Sequence, residues 1–212
     1  MRSKPSCTKL VVFIALVLSL VTSAQAPIPT AQQLDQLLAP MALYPDSLLA
    51  QITTASTNPQ EILDVSNWLQ QNQGLQGTAL TDAAEAQGFD AAFIALVNFP
   101  DVLNMMAENV DDFASIGQAF SADQGAVSAS VQRLRAQAYA AGNLQSNQQQ
   151  QVEVQQSAGQ TIYVIQPANP QVVYVPVYNP TVVYVRPPTN VVVVNYGPPI
   201  PIGFWYMSAR PW

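Results

Sequence analysis

Glu108, Asp111 and Asp112 stand three and four positions apart, a spacing that on a helix gathers three carboxylates along one side. Such a group could hold calcium, which favours several carboxylate oxygens. Two facing carboxyl groups could also hydrolyse a glycosidic bond, a mechanism that needs neither histidine nor lysine. Against calcium, the sequence has no Asp-x-Asp-x-Asp-Gly loop. Against hydrolysis, acids at helix starts are already explained by capping and by the helix dipole. A solvated acidic face is the preferred reading.

Leu43-Tyr44-Pro45-Asp46 is the second candidate. As a recognition loop it would offer the Tyr44 hydroxyl and the Asp46 charge, whereas a proline turn with Asp46 as helix N-cap accounts for the same residues and is preferred. Phe99-Pro100-Asp101 is the same case. Six of the eight tyrosines, Tyr163, Tyr174, Tyr178, Tyr184, Tyr196 and Tyr206, fall in the last quarter of the chain. Interleaved with prolines they could stack on sugars or dock a partner, or they could pack across neighbouring strands or onto helices. Both readings stand, and Tyr44, Tyr174, Tyr178 and Tyr184 are the candidate interaction residues. Arg133 and Arg135, two apart on one helix, point to different sides and are expected to find acidic neighbours.

What is missing constrains the chemistry further. There is no histidine, no lysine follows Lys9, and the lone cysteine is Cys7. Serine or cysteine hydrolysis of the usual kind lacks its general base, zinc-type sites lack their ligands, and no Gly-rich phosphate loop occurs. No catalytic residue, cofactor or metal site is expected, and the chain is read as not an enzyme.

The sequence carries a formal net charge of −6. Removing Arg2, Lys4 and Lys9 with an amino-terminal signal would leave four basic residues against thirteen acidic ones, a net of −9. A surface that acidic disfavours nucleic acid and anionic lipid headgroups. The charge is uneven as well: Asp35 to Asp123 carries twelve acidic residues and no basic one.

The amino terminus supplies an address. Arg2, Lys4 and Lys9 precede the uncharged run from Leu10 to Val21, and small residues follow at Thr22-Ser23-Ala24-Gln25-Ala26, the three-part pattern of a secretory signal over residues 1–26. The run is shorter than the roughly 20 apolar residues that span a bilayer. Cleavage after Ala24 is preferred over Ala26, which Pro27 would restrict. After cleavage the protein is expected in the periplasm or extracellular envelope and not integral to the membrane.

The elements that must position these residues divide in two. Residues 27–144 read as an acidic helical domain of about six helices, rich in alanine, leucine and glutamine. Asn58-Pro59-Gln60-Glu61 opens a helix, with Asn58 as N-cap, Pro59 at the first position and Glu61 bonding back as in a capping box. Asp46 after Pro45 is expected to cap a segment with Leu48, Leu49 and Ile52 inward, and Asp90 to cap one with Phe93, Ile94 and Val97. Pro100-Asp101 opens a run through Val102, Met105, Met106, Val110, Phe113, Ile116 and Phe120. A last helix near 122–141 turns in Val127, Val131, Leu134 and Ala138 and stops at Gly142.

Residues 145–160 hold eight glutamines and read as a polar linker, although Val152-Glu153-Val154 could pair with Thr161-Ile162-Tyr163 across Ser157-Ala158-Gly159 as a hairpin. Residues 161–195 then say nearly the same thing twice: Asn169-Pro170-Gln171-Val172-Val173-Tyr174-Val175 recurs as Asn179-Pro180-Thr181-Val182-Val183-Tyr184-Val185. Thr161–Ile165, Gln171–Val175, Thr181–Val185 and Asn190–Val194 are four expected short strands broken by proline. The Pro and aromatic tail, 196–212, is expected to be extended or disordered. The fold class is α+β.

Leu37-Leu38-Ala39-Pro40-Met41-Ala42-Leu43-Tyr44-Pro45-Asp46-Ser47-Leu48-Leu49-Ala50-Gln51-Ile52, Ala55-Ser56-Thr57, Trp68-Leu69, Phe99-Pro100-Asp101-Val102-Leu103, Val131-Gln132-Arg133-Leu134-Arg135 and Ile165-Gln166-Pro167-Ala168-Asn169-Pro170 together resemble the bacterial family catalogued as domain of unknown function 3300. The resemblance spans roughly residues 33 to 185 and implies an exported envelope protein whose relatives often continue into Pro, Tyr, Gly or His-rich tails. With no histidine here, a metal role carried by such tails has no counterpart. The expected function is a non-enzymatic binding or structural module of the cell envelope, with the Val/Tyr/Pro repeats as its interaction surface. An envelope protein or a polysaccharide is the kind of partner left open. The rival readings are a hydrolase acting on carbohydrate through paired Asp/Glu and a calcium-dependent module.

Overall fold

The computed structural model describes residues 28–157, 159–186 and 193–202. The expected signal segment, most of the run 190–194 and residues 203–212 lie outside these.

Among the described residues eight helices come first: α1 (Ala31–Leu38), α2 (Asp46–Ala55), α3 (Pro59–Gln71), α4 (Gly77–Gln87), α5 (Ala91–Leu96), α6 (Pro100–Glu108), α7 (Val110–Ala122) and α8 (Gln124–Ala140). The stretch opened by Pro100, expected as one run to Phe120, is broken at Asn109. That residue ends α6 and heads α7, and its side-chain amide donates to the Met105 carbonyl at 2.8 Å. Asn58 caps α3 by accepting from the Glu61 N–H at 3.4 Å. Glu61 does not close the box as expected. Its carboxylate instead takes the Asn58 amide at 2.8 Å and the Asp90 backbone N–H at 2.7 Å, so one side chain joins the starts of α3 and α5. Asp123 caps α8 at the Ala126 N–H, and Gly142 follows in the left-handed conformation at φ 84°.

Each helix turns one apolar stripe inward. Leu34, Leu38, Leu48, Leu49, Ile52, Ile62, Val65, Phe93, Leu103, Met106, Ile116, Val127 and Val131 make a continuous core. α1 packs on α8, α2 on α5 and α7, and α3 on α6 and α7. At the α2–α7 crossing Gly117 lies against backbone: a β-carbon there would sit 1.9 Å from the Ser56 carbonyl oxygen.

The strands follow. β1 (Gln150–Ser157) and β2 (Gln160–Pro167) form an antiparallel hairpin in which Val152 faces Ile165 and Val154 faces Tyr163. Much of the segment expected as a polar linker is therefore a strand, in a register two residues from the pairing first drawn. β3 (Val172–Val173) pairs with β6 (Ile200–Pro201), and β4 (Pro176–Tyr178) with β5 (Val194–Tyr196). Ile200–Pro201 thus lies in a short strand within the tail expected to be extended or disordered.

The two copies of the repeat share a turn and then diverge. Asn169 Oδ1 accepts the Gln171 N–H at 2.9 Å, and Asn179 Oδ1 accepts the Thr181 N–H at 2.8 Å. After the first turn the chain extends into β3. After the second, Val182 and Val183 both donate back to the Asn179 carbonyl at 3.1 Å, so Thr181–Val185 is a compact turn and not the expected strand. The turn drives Val183 into a small core with Leu43, Ala138, Leu144 and Ile165. Val173 joins the main helical core, with Val175, Ile200 and Ile202 packed against it.

Candidate functional site

The corner between α1 and α2, Ala39 to Pro45, is where the polar side chains converge. Arg135 on α8 is 1% exposed and has its guanidinium inside this corner. Its Nε–H donates to the Ala42 carbonyl at 2.8 Å, one terminal nitrogen donates to Asp46 Oδ1 at 2.5 Å and to the Tyr163 carbonyl at 2.8 Å, and the other reaches the Tyr44 carbonyl at 3.0 Å. A charge taken out of water is tolerated only when paired and fully hydrogen-bonded, and this one joins α8, the corner, the start of α2 and β2. Asp46 is not an N-cap, contrary to expectation. It is the first residue of α2, and its carboxylate turns away from the helix to take Arg135 and, at 3.5 Å, the Ile165 N–H.

One turn earlier on α8, Gln132 lies along β2 as an extra strand would. Its side-chain carbonyl accepts the Tyr163 N–H at 2.8 Å, and its amide donates to the Tyr163 carbonyl at 3.2 Å. Arg133 points to the other side, pairing with Asp35 at 2.6 Å, while Ser130 donates to the same carboxylate. Both arginines therefore meet acidic partners, one exposed and one buried.

The tyrosines approach the corner from the opposite side. The Tyr178 hydroxyl accepts from the Leu43 N–H at 3.2 Å and donates to the Ala39 carbonyl at 3.1 Å, and Tyr184 donates to that carbonyl at 2.5 Å. Backbone groups at the end of α1 that would otherwise lack partners are satisfied in this way. Burial pushes the Tyr178 phenol well above its ordinary value, with the neighbouring Tyr184 adding to the shift. Burial also raises Tyr184, against the pull of Tyr178's hydrogen bond and the Arg135 charge. Tyr44 is itself buried and pushed up to about 12, by burial first and Asp101 second. Tyr174 is half-buried. Of the four candidate interaction residues, then, Tyr44, Tyr178 and Tyr184 come together, with their hydroxyls turned inward. The outward positions on the same segment are valines: Val177 is 59% exposed, Val185 56%, and Val182 is exposed as well.

Glu108, Asp111 and Asp112 are all exposed, and among the described residues no three His, Cys, Asp or Glu side chains gather as a metal site. A groove of about 710 Å³ lies between the α3–α4 connection, Val97–Pro100 and β6, lined by Leu69, Leu75, Leu80 and Ile200 with the amides of Gln73, Gln76 and Asn98. Sequence reasoning named Leu69, Val97 and Pro100 as helix, core or turn residues but did not single out Gln73, Leu75, Gln76, Leu80, Asn98 or Ile200, since nothing in their spacing marks them. Gln132 was missed for a different reason, because its partner lies 31 residues away.

Fold and site together define an α+β protein in which an acidic helical bundle and short β elements are clamped by one buried arginine. Residues 30–208 match the model of a family described as protein of unknown function (DUF3300), and the chain belongs to that family. A curated relative, the uncharacterized protein YacH of Escherichia coli (strain K12), is 37% identical over 158 residues, covering 70% of this chain and 26% of the relative. The chain thus spans about a quarter of that relative's length. No solved structure matches. Among the described residues no helix is long and apolar enough to cross a membrane.

Proposed function

We propose that this protein is an exported module of the cell envelope that acts by contact and not by catalysis, with the Val/Tyr/Pro segment as its contact surface. The observation that carries the proposal is the division of labour along that segment. Tyr178 and Tyr184 are anchored to the Ala39 carbonyl, while Val177, Val182 and Val185 face outward. Anchoring fixes the segment before any partner arrives, so ordering it costs little on binding. Exposed apolar side chains on a held backbone suit a partner's apolar surface. Export rests on the amino-terminal pattern of three basic residues, an apolar run and small residues.

The test places a photo-crosslinking residue at Val177, Val185 or Tyr184 in cells. Saturable adducts from Val177 and Val185, absent at Tyr184, are expected. Adducts from none of these positions, or from all alike, would overturn the assignment. Cell fractionation with mass spectrometry of the mature amino terminus checks export, with cleavage after Ala24 expected and an intact Met1 in the cytoplasm contradicting it.

A further inference from the structure

β1 leaves a short length of its outer edge open, and the side-chain bonds around the hairpin show which length. Toward the helices the outward edge of β2 is held, since Gln132 bonds both the N–H and the carbonyl of Tyr163 and Asp46 accepts from Ile165, which among the described residues leaves Thr161 beside the turn open. The outward groups at the near end of β1 are covered too. Asn147 takes the N–H and the carbonyl of Gln150, each at 2.9 Å, and the Ser146 hydroxyl accepts from the Val152 N–H at 2.9 Å and donates to its carbonyl at 3.2 Å. Strand alternation then turns the N–H and C=O of Val154 and Gln156 to this same side. Among the described residues these groups have no partner. Val154 is 45% exposed, and Gln155, Gln156 and Ser157 are exposed. An open strand edge is a template for another strand.

We infer that this edge binds a second copy of the chain, β1 running antiparallel to β1 of the partner subunit about a two-fold axis at Gln155. In that register Val154 lies opposite Gln156 of the partner subunit, and each such pair exchanges both backbone hydrogen bonds. The open length and the paired length are then the same, and the contact closes on itself as a two-fold contact must. Charge favours this register. Glu153, held between the amides of Gln151 and Gln155 at 3.1 Å each, falls opposite Ser157 of the partner subunit and not opposite its own copy. The outer half of the hairpin stands clear of the helices, so the two acidic bodies lie on opposite sides of the joint.

The test uses the chain in a Cys7→Ser background, which leaves no other thiol. Gln155→Cys is expected to give a disulfide-linked dimer under mild oxidation, and Gln151→Cys, on the same face but off the axis, is expected to give none. In sedimentation velocity the parent chain is expected to double in mass with rising concentration. The dimer fraction should grow with salt, which screens the repulsion between like-charged bodies. Gln156→Pro removes an open N–H that β2 does not use and is expected to abolish the dimer. A chain that stays monomeric with Gln155→Cys unlinked, equal cross-linking at Gln151→Cys, or a dimer untouched by Gln156→Pro would each overturn the inference.

Discussion

Replacing Arg135 with methionine keeps the apolar stem of the side chain and removes the charge together with every donor the corner uses. Asp46 then becomes an uncompensated buried carboxylate, a change that costs roughly 3 to 5 kcal/mol where a buried pair is broken from one side. The carbonyls of Ala42 and Tyr44 lose the donors found at 2.8 and 3.0 Å, at about 1 to 3 kcal/mol for each group left dry. The Tyr163 carbonyl is spared, because Gln132 still donates to it. The sum reaches or exceeds about 5 kcal/mol, the lower end of a domain's whole stability. Arg135→Met is therefore expected to be largely unfolded at neutral pH. Arg135→Lys, which keeps the charge but not the fork, should fold with reduced stability. Urea unfolding followed by circular dichroism and by tryptophan fluorescence measures both. Replacing Asp46 with asparagine should shrink the cost of Arg135→Met, since no orphaned charge remains, and the double-mutant cycle reads that coupling. An Arg135→Met protein within about 1 kcal/mol of the parent would refute the reasoning, because that is no more than a typical point substitution costs.

Two further outcomes follow from the packing and the phenols. Gly117→Ala places a methyl group 1.9 Å from the Ser56 carbonyl oxygen, against backbone that cannot turn aside. It should cost about 1 to 3 kcal/mol or more, read as a fall in melting temperature. Tyr44 has its phenol raised from 10.0 to about 12, and Tyr178 and Tyr184 are raised as well. A raised folded value means that the stabilisation is fully present below pH 10 and is lost as the pH climbs toward 12 and beyond. Melting temperature against pH, with ultraviolet titration of the phenolates, should show that loss, and Tyr178→Phe with Tyr184→Phe should flatten it.

Features set by a few neighbouring residues were legible in the sequence. Asn58-Pro59 and Gly142 act on backbone groups within a turn of themselves, so helix starts and stops could be read there. The inward stripes of α2, α5 and α8 were legible for the same reason. Asp46 was misread because its partner Arg135 lies 89 residues away, and a Pro-Asp pair before an apolar run looks like a cap until that partner is known. β1 was legible only at its centre: Val152-Glu153-Val154 alternates and reads as one arm of a hairpin, but the glutamines and serine around it are polar on both faces, so neither the strand's length nor its register was marked. Thr181–Val185 failed the other way. Its β-branched residues suit a strand, yet Asn179 folds them into a turn that buries Val183 and aims Tyr184 at Ala39. The tyrosines were recognised as important, but direction along a segment of uncertain backbone was beyond a one-dimensional pattern.

Ile165 and Val173 on strands and Val183 on the Asn179 turn are fully buried, so the segment after the helices completes the cores the helices begin. Thermal unfolding, followed by circular dichroism, of a chain lacking residues 160–212 bears on this most directly. Loss of the cooperative transition, with helical content reduced, is expected. A shortened chain that melts cooperatively at the temperature of the parent would contradict it.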